Sequence, residues 1–197
     1  MAQRVSALIA RIEAVGMTSD AEISDVLERF LASASPANGA KLVARAWVEP
    51  AFKALLLEDA SAALERLAID MSHWAPVRLQ AVENSALLHN VIVCTLCSCY
   101  PIALLGPPPT WYKSEAYRSR VVREPRAMLA EFGVTLGSGV EVRVWDSTAE
   151  LRYIVVPERP VGTDGWTQER LASLITRDAL IGVARPSLQV AGAGADP

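Results

Sequence analysis

The stretch Val91-Ile92-Val93-Cys94-Thr95-Leu96-Cys97-Ser98-Cys99-Tyr100 decides how this chain is read. Three β-branched residues, which favour a pleated strand, run straight into a cluster that holds every cysteine of the protein. An odd number of cysteines this close together excludes a disulfide framework joining distant parts of a fold, so their use is local. A tight loop here brings three thiolates to one face of a single ion. The C-x-x-C half closes a turn, and the C-x-C half bridges neighbouring ligand positions. Thiolates select zinc, iron or another late transition metal over magnesium or calcium. Structural zinc wants four closed ligands, usually two separated pairs, and neither histidine, His73 or His89, stands at such a spacing. A thioredoxin-like redox pair normally opens a helix after a strand and leaves Cys99 without a role. On spacing alone a metal site, zinc included, leads over redox chemistry and over inert buried thiols.

Outward from this loop the chain changes texture. On the N-terminal side Val5, Leu8, Ile9, Ile12 and Val15 recur at helical spacing before Gly16. Ser19 with Glu22 fits a capping box for a second helix striped by Ile23, Val26, Leu27, Phe30 and Leu31. Ser35-Pro36-Ala37-Asn38-Gly39 reads as a break, Leu42 to Trp47 as a third helix, and Pro50 as the first turn of a fourth that stays helical to about Leu67. After His73-Trp74-Ala75-Pro76, Val77, Leu79 and Ala81 alternate with polar residues as in a half-buried strand. Gly106-Pro107-Pro108-Pro109 rules out regular structure, and Glu124 to Phe132 reads as a helix closed by Gly133. Val140, Val142 and Val144 alternate like a strand, Leu151 to Val156 is another, and Thr167 caps a last helix carrying Leu171, Leu174 and Ile175. The Ala/Gly-rich end from Ala191 to Pro197 reads as frayed. The expected fold class is α+β: a helical N-terminal arm over residues 1–75, then a metal-binding catalytic domain over residues 76–197. The order of the strands is not encoded in these patterns.

Bulk composition narrows the function. With 51% apolar and 21% charged residues over 197 positions, the chain buries a substantial core. A formal charge of −3 gives no basic footprint for a phosphate backbone, so nucleic acid is excluded as a partner. Arg4, Arg11 and Glu13 interrupt the apolar start, which argues against a secretory signal, and no run is long enough to span a bilayer. A cytoplasmic protein without membrane association is expected. The mean hydropathy of +0.23 is high for such a protein and points to an interface with another subunit.

The motif says more than its spacing. Val93-Cys94-Thr95-Leu96-Cys97-Ser98-Cys99 resembles the metal-claw sequence of nitrile hydratase alpha subunits and of the related gamma subunit of thiocyanate hydrolase. The likeness continues through Pro107-Pro108-Pro109-Thr110-Trp111-Tyr112-Lys113, Tyr117-Arg118-Ser119-Arg120-Val121-Val122, Glu124-Pro125-Arg126, Val144-Trp145-Asp146-Ser147-Thr148-Ala149-Glu150 and Leu151-Arg152-Tyr153. It extends through Pro157-Glu158-Arg159-Pro160, Gly162-Thr163 and Thr176-Arg177-Asp178, and back to Asn38-Gly39-Ala40-Lys41 and Ala46-Trp47. The resemblance implies a layered α-β-β-α domain. In this family threonine after the first cysteine accompanies noncorrin cobalt and serine accompanies iron, so Thr95 implies Co(III) ahead of Fe(III).

The resemblance further implies a ligand set: the sulfurs of Cys94, Cys97 and Cys99 and the deprotonated backbone nitrogens of Ser98 and Cys99, with the sixth position open. It makes Cys97 a sulfinic and Cys99 a sulfenic acid, and gives Cys99 and Ser98 catalytic parts in hydrating a nitrile to an amide. Only a trivalent ion at close range makes a backbone amide anion competitive, and oxidised sulfur donates less, leaving the ion a stronger Lewis acid. The implied partners are a beta subunit, a cobalt-loading activator protein and a small nitrile. A thiocyanate-hydrolysing subunit is the nearest alternative; a noncatalytic thiolate metal-binding protein is a more distant one.

Outside the claw, Arg118, Arg120, Arg123 and Arg126 form a basic cluster suited to oxidised sulfur, with surface or interface salt bridges as the leading reading. His89 reads as a hydrogen-bonded structural histidine ahead of a proton relay. Trp111 and Tyr112 suit either a pocket mouth or packing. Two departures from the family pattern stand out. Ala75-Pro76-Val77 replaces a common Gln-Gly-Glu, and Ile102-Ala103 replaces Trp-Pro. Ile102 in place of an indole is expected to admit bulkier nitriles. An Ile102→Trp variant that turned over large nitriles as well as the parent would overturn that expectation.

Overall fold

The computed structural model of the protein describes residues 2–69 and 77–188. His73, the Ala75-Pro76 departure and the C-terminal stretch from Ala191 lie outside the described residues. The chain divides into two compact units, one ending at Ser33 and one beginning at Ala34. The division read from the sequence lies at 75/76; the structural one falls earlier because the third to fifth helices pack into the second unit.

In the first unit α1 (Ala2–Ala14) ends near Gly16, which takes φ +67°, and α2 covers Asp20–Ser33. The capping box forms as the sequence predicts. The Ser19 backbone N–H donates to Glu22 Oε2 at 2.8 Å, and the Glu22 N–H donates to Ser19 Oγ at 3.2 Å. The Ser19 N–H, with the Ser19 and Thr18 hydroxyls that also donate to this carboxyl, holds Glu22 below the usual carboxylate range.

The second unit opens with α3 (Pro36–Val48). The expected break at 35–39 is confined to Ala34 and Ser35, and Asn38 and Gly39 lie inside the helix. Ser35 caps it by accepting from the Ala37 N–H, and Pro36 sits in the first turn, where its missing N–H costs nothing. Gly39 is there for proximity. A Cβ at that position would lie 2.7 Å from both the Leu104 carbonyl oxygen and Leu180 Cδ1. The helix expected from Pro50 to Leu67 divides into α4 (Pro50–Glu58) and α5 (Ala60–Arg66), because Asp59 leaves helical geometry and caps the Ala62 N–H at 3.1 Å.

Four strands follow, β1 (Arg78–Glu83), β2 (Leu88–Val93), β3 (Glu141–Asp146) and β4 (Leu151–Val156). They form two parallel two-stranded sheets, β1 with β4 and β2 with β3. The turn between β1 and β2 is therefore no hairpin but a step from one sheet to the other. Asn84 and Asn90 satisfy the buried backbone at this step. Asn84 Oδ1 accepts the Asn90 N–H at 2.7 Å, while Asn90 donates to the Glu83 carbonyl and accepts from Trp145 Nε1.

Between β2 and β3 lie α6 (Ile102–Leu105), a 3-10 turn at Thr110–Lys113, α7 (Glu115–Arg123) and α8 (Pro125–Glu131); α9 (Gln168–Ala172) and α10 (Arg177–Ile181) follow β4. Only α8 and one terminal helix were expected. The short additions owe their ends to Ser114 and Thr176, whose hydroxyls accept from the Tyr117 and Ala179 N–H groups, and to Gly182 at φ +93°. Helix α10 packs on β2 and β4, α4 and α5 pack on β1, and α8 packs on β3. The α+β class thus holds. Among the described residues no helix is long and apolar enough to cross a membrane.

Candidate metal centre

The cysteine loop leaves the C-terminal end of β2 and enters α6. Register places Val93 opposite Asp146, the last residue of β3, so parallel pairing brings the loop's first residues to that carboxylate. Asp146 Oδ1 accepts the Thr95 N–H at 2.9 Å and Oδ2 accepts the Thr95 hydroxyl at 2.5 Å. The Ser147 N–H donates to the Val93 carbonyl at 2.7 Å. From beneath, Tyr117 donates to the Ile92 carbonyl at 2.7 Å and Tyr112 to the Cys99 carbonyl at 3.0 Å. Both tyrosines are buried, and burial pushes their hydroxyls well above the ordinary tyrosine range, which keeps them protonated donors. Trp111 stacks edge-on to Tyr112 and Tyr117, so the pair that suited either a pocket mouth or packing is a packing pair.

Held this way, the three sulfurs converge. Cys94 Sγ lies 3.5 Å from Cys97 Sγ, which lies 3.3 Å from Cys99 Sγ, and all three fall within 4.8 Å of one another. Cys94 is buried, Cys99 half-buried, and Cys97 and Ser98 exposed, so the sulfur face is reached from one side. Bonds from the Cys99 and Cys94 thiols and from the Ser98 N–H lower the Cys97 thiol to about 7, as an anion-ready sulfur requires. Burial, then its donor role toward Cys97, pushes Cys99 up to about 12, with the Arg152 charge acting in the opposite direction.

The donor set suits a soft or borderline transition metal. Among the described residues no other His, Cys, Asp or Glu joins the three cysteines as a ligand. His89 is turned away. Its Nε2 donates to the Gly182 carbonyl at 2.7 Å and its Nδ1 faces Asn84 Nδ2 at 3.4 Å, which fixes a neutral, structural imidazole. Among the described residues a closed tetrahedral zinc site therefore lacks a fourth side chain, and the main chain or solvent is free to fill further positions.

The arginine cluster resolves into separate tasks. Arg120 pairs with Glu124 and Glu131, Arg123 donates to the Ser119 carbonyl, and Arg126 to the Gly137 and Val140 carbonyls. Arg118 alone reaches the loop, through the Thr95 and Cys97 carbonyl oxygens. Asp146, Arg118 and Tyr112 sat in the sequence segments already singled out, yet their contacts with the loop span 51, 23 and 13 positions, which no local pattern reveals.

Known proteins resemble the whole chain. The family model for the nitrile hydratase alpha chain matches residues 1–184. The low-molecular weight cobalt-containing nitrile hydratase subunit alpha of Rhodococcus rhodochrous is 48% identical over 187 residues, 95% of this chain and 89% of that one. Thiocyanate hydrolase subunit gamma of Thiobacillus thioparus is 45% identical over 175 residues, 84% of this chain and 72% of that one. Among solved structures, a double mutant of the Fe-type nitrile hydratase from Comamonas testosteroni Ni1 superposes with TM-score 0.87 at 44% identity, covering 100% of this chain and 95% of that one. A recombinant thiocyanate hydrolase with partially modified cobalt centres gives 0.89 at 41%, covering 99% and 93%.

Proposed function

Because this chain belongs to the nitrile hydratase alpha-chain family, we propose that it is the cobalt-bearing subunit of an enzyme that adds water to a nitrile and releases the amide. The observation that carries this reading is the convergence of Cys94, Cys97 and Cys99 within 4.8 Å on a half-open loop. Their sulfurs, with the backbone nitrogens of Ser98 and Cys99, would hold noncorrin Co(III). The bound ion would supply Lewis acidity, polarising the nitrile or lowering the pKa of water near neutral pH. The chain does the rest by preorganisation. Asp146 and Tyr112 fix the two ends of the loop, so the sulfurs need not be gathered when the metal arrives. Cys97 and Cys99, the more accessible sulfurs, are the ones assigned to oxidation to sulfinic and sulfenic acid, and the partial or full exposure of Ser98 and Cys99 supports their assignment to catalytic parts.

A beta subunit, a cobalt-loading activator and a small nitrile complete the proposal. A reducing cytoplasm suits three cysteines with no structural disulfide to form. A second reading, the gamma-type subunit of a thiocyanate hydrolase, is favoured by the structural match at TM-score 0.89. Coverage weighs the other way, with 89% of the nitrile hydratase relative spanned against 72% of the thiocyanate hydrolase one. The test is to purify the chain with its partner subunit, determine metal content, weigh the peptide from Val93 to Tyr100, and assay nitriles against thiocyanate. Cobalt, added oxygen on Cys97 and Cys99, and amide release are expected. Zinc on unmodified cysteines would replace this reading with a noncatalytic metal-binding one.

A further inference from the structure

Arg118 stands apart from its neighbours in helix α7. Its Nη1 donates to the Thr95 carbonyl at 3.4 Å and to the Cys97 carbonyl at 3.5 Å, and its Nε is buried without a hydrogen-bond partner. Among the described residues no carboxylate forms an ion pair with this guanidinium, in contrast to Arg120, which holds two. A half-buried cation aimed at main-chain oxygens, with its buried Nε donor unspent, is costly to keep unless those oxygens carry more negative charge than ordinary carbonyls do.

The identity of the second oxygen gives a reason. The Cys97 carbonyl oxygen and the Ser98 nitrogen are the two ends of one amide, joined by a delocalised C–N bond. Coordination of the nitrogen to a metal as an electron-rich ligand shifts electron density through that bond onto the oxygen. A donor placed on the oxygen supports the ligand without competing for the ion. Tyr112 does not do this, because the Cys99 carbonyl it holds belongs to the peptide that follows Cys99. Both Arg118 contacts are long for hydrogen bonds, so their weight comes from the full and permanent charge of the donor.

We propose that Arg118 is a positioning residue for the metal loop, which holds the Thr95 and Cys97 oxygens and stabilises the Cys97–Ser98 amide as a nitrogen ligand. The proposal rests on the reading of the Ser98 nitrogen as a ligand. It predicts an effect on metal retention and on the electronic character of the site, beyond any effect on folding. Losing a group that supports a metal ligand usually costs about 10- to 100-fold in affinity, and that is the range expected here.

The experiment compares the cobalt-loaded complex of this chain with its partner subunit in four forms: parent, Arg118→Gln, Arg118→Lys and, as a control on the same helix, Arg123→Gln. Three quantities are read: the rate of cobalt loss to excess chelator, the position of the sulfur-to-cobalt absorption band, and the thermal unfolding midpoint. Arg118→Gln is expected to lose cobalt about tenfold faster or more, with a displaced band and a nearly unchanged midpoint. Arg118→Lys, which keeps the charge, is expected to fall between it and the parent, and Arg123→Gln to match the parent. If Arg118→Gln fails to assemble, the lysine variant decides, since a charge-keeping change that leaves both retention and band untouched while unfolding shifts would make Arg118 a merely structural residue. Retention and band equal to the parent's in Arg118→Gln overturn the proposal alone. X-ray absorption of the parent showing sulfur but no nitrogen ligands overturns the reading of Ser98, and this proposal with it.

Discussion

At Thr95 one carboxylate accepts both a backbone N–H and a hydroxyl, so Asp146 closes the loop the way an N-cap closes a helix. Removing it as Asp146→Ala leaves the Thr95 N–H without its acceptor at a partly exposed site, a loss of about 1 kcal/mol. The expected outcome is faster hydrogen exchange at Thr95 together with lower cobalt occupancy, while Asp146→Asn, which keeps an acceptor for the N–H, retains most of both. His89 supplies a pH prediction. Burial pulls its pKa below the ordinary 6.5, against the raising effect of the Gly182 carbonyl. The folded chain therefore binds this proton less readily than the unfolded chain. Stability is full above about 6.5 and falls as pH drops from there toward the folded value. Urea midpoints measured across that interval should decline with acid in the parent and decline less in His89→Gln; equal slopes would show that another group carries the effect. The cysteines were legible in sequence because their chemistry is local. Asp146 was not, and Arg118 could not be told from its neighbours in the basic cluster, because the strand pairing and helix packing that bring them to the loop leave no trace in spacing.

Elements were legible where one strong local signal acted alone. The Ser19–Glu22 box, the proline start of α4, the helix α8, the alternating run of β3 and the β-prone run of β4 all appear close to where sequence placed them. The failures share a cause in tertiary contact. Asn38-Gly39 carries a turn signature, yet it continues a helix because α6 and α10 press so closely on α3 that only glycine fits. Likewise, the partners of four short strands are set by packing, and nothing in the pattern of β1 announces β4. Gly39→Ala tests this. The new methyl meets the Leu180 side chain, which can move, and the Leu104 carbonyl, which is backbone at the end of the helix following the cysteine loop. Overpacking of this kind costs about 1–3 kcal/mol. Chemical denaturation should show a loss in that range, partly relieved by adding Leu180→Ala. Gly182→Ala is the harsher change, since φ is +93° and the new Cβ would sit 2.1 Å from the Asn90 carbonyl oxygen; little folded protein is expected.

On the scale of the whole molecule, apolar surface left in water points to a missing neighbour. Helix α2 buries none of its residues, and Ile23, Val26, Leu27 and Leu31 stand exposed along it; Val5, Leu8 and Ile9 do the same on α1. Leu8 is 59% exposed and Leu27 53%. An amphipathic stripe of this length is retained in a folded protein when another surface covers it. If the proposed beta subunit supplies that surface, this stripe is where it docks, as the high mean hydropathy of the chain also suggests. Burying one leucine contributes about 1.5–3 kcal/mol, so charging two of them should weaken association by about a hundredfold or more. Leu8→Glu combined with Leu27→Glu, produced together with the partner, is expected to lower co-purification at dilute concentration while the helical circular dichroism of the isolated chain stays the same. The metal loop belongs to the other compact unit, so cobalt binding by whatever complex remains should match the parent per assembled pair. Undiminished assembly of the double variant on dilution would show that the stripe is not where the partner binds.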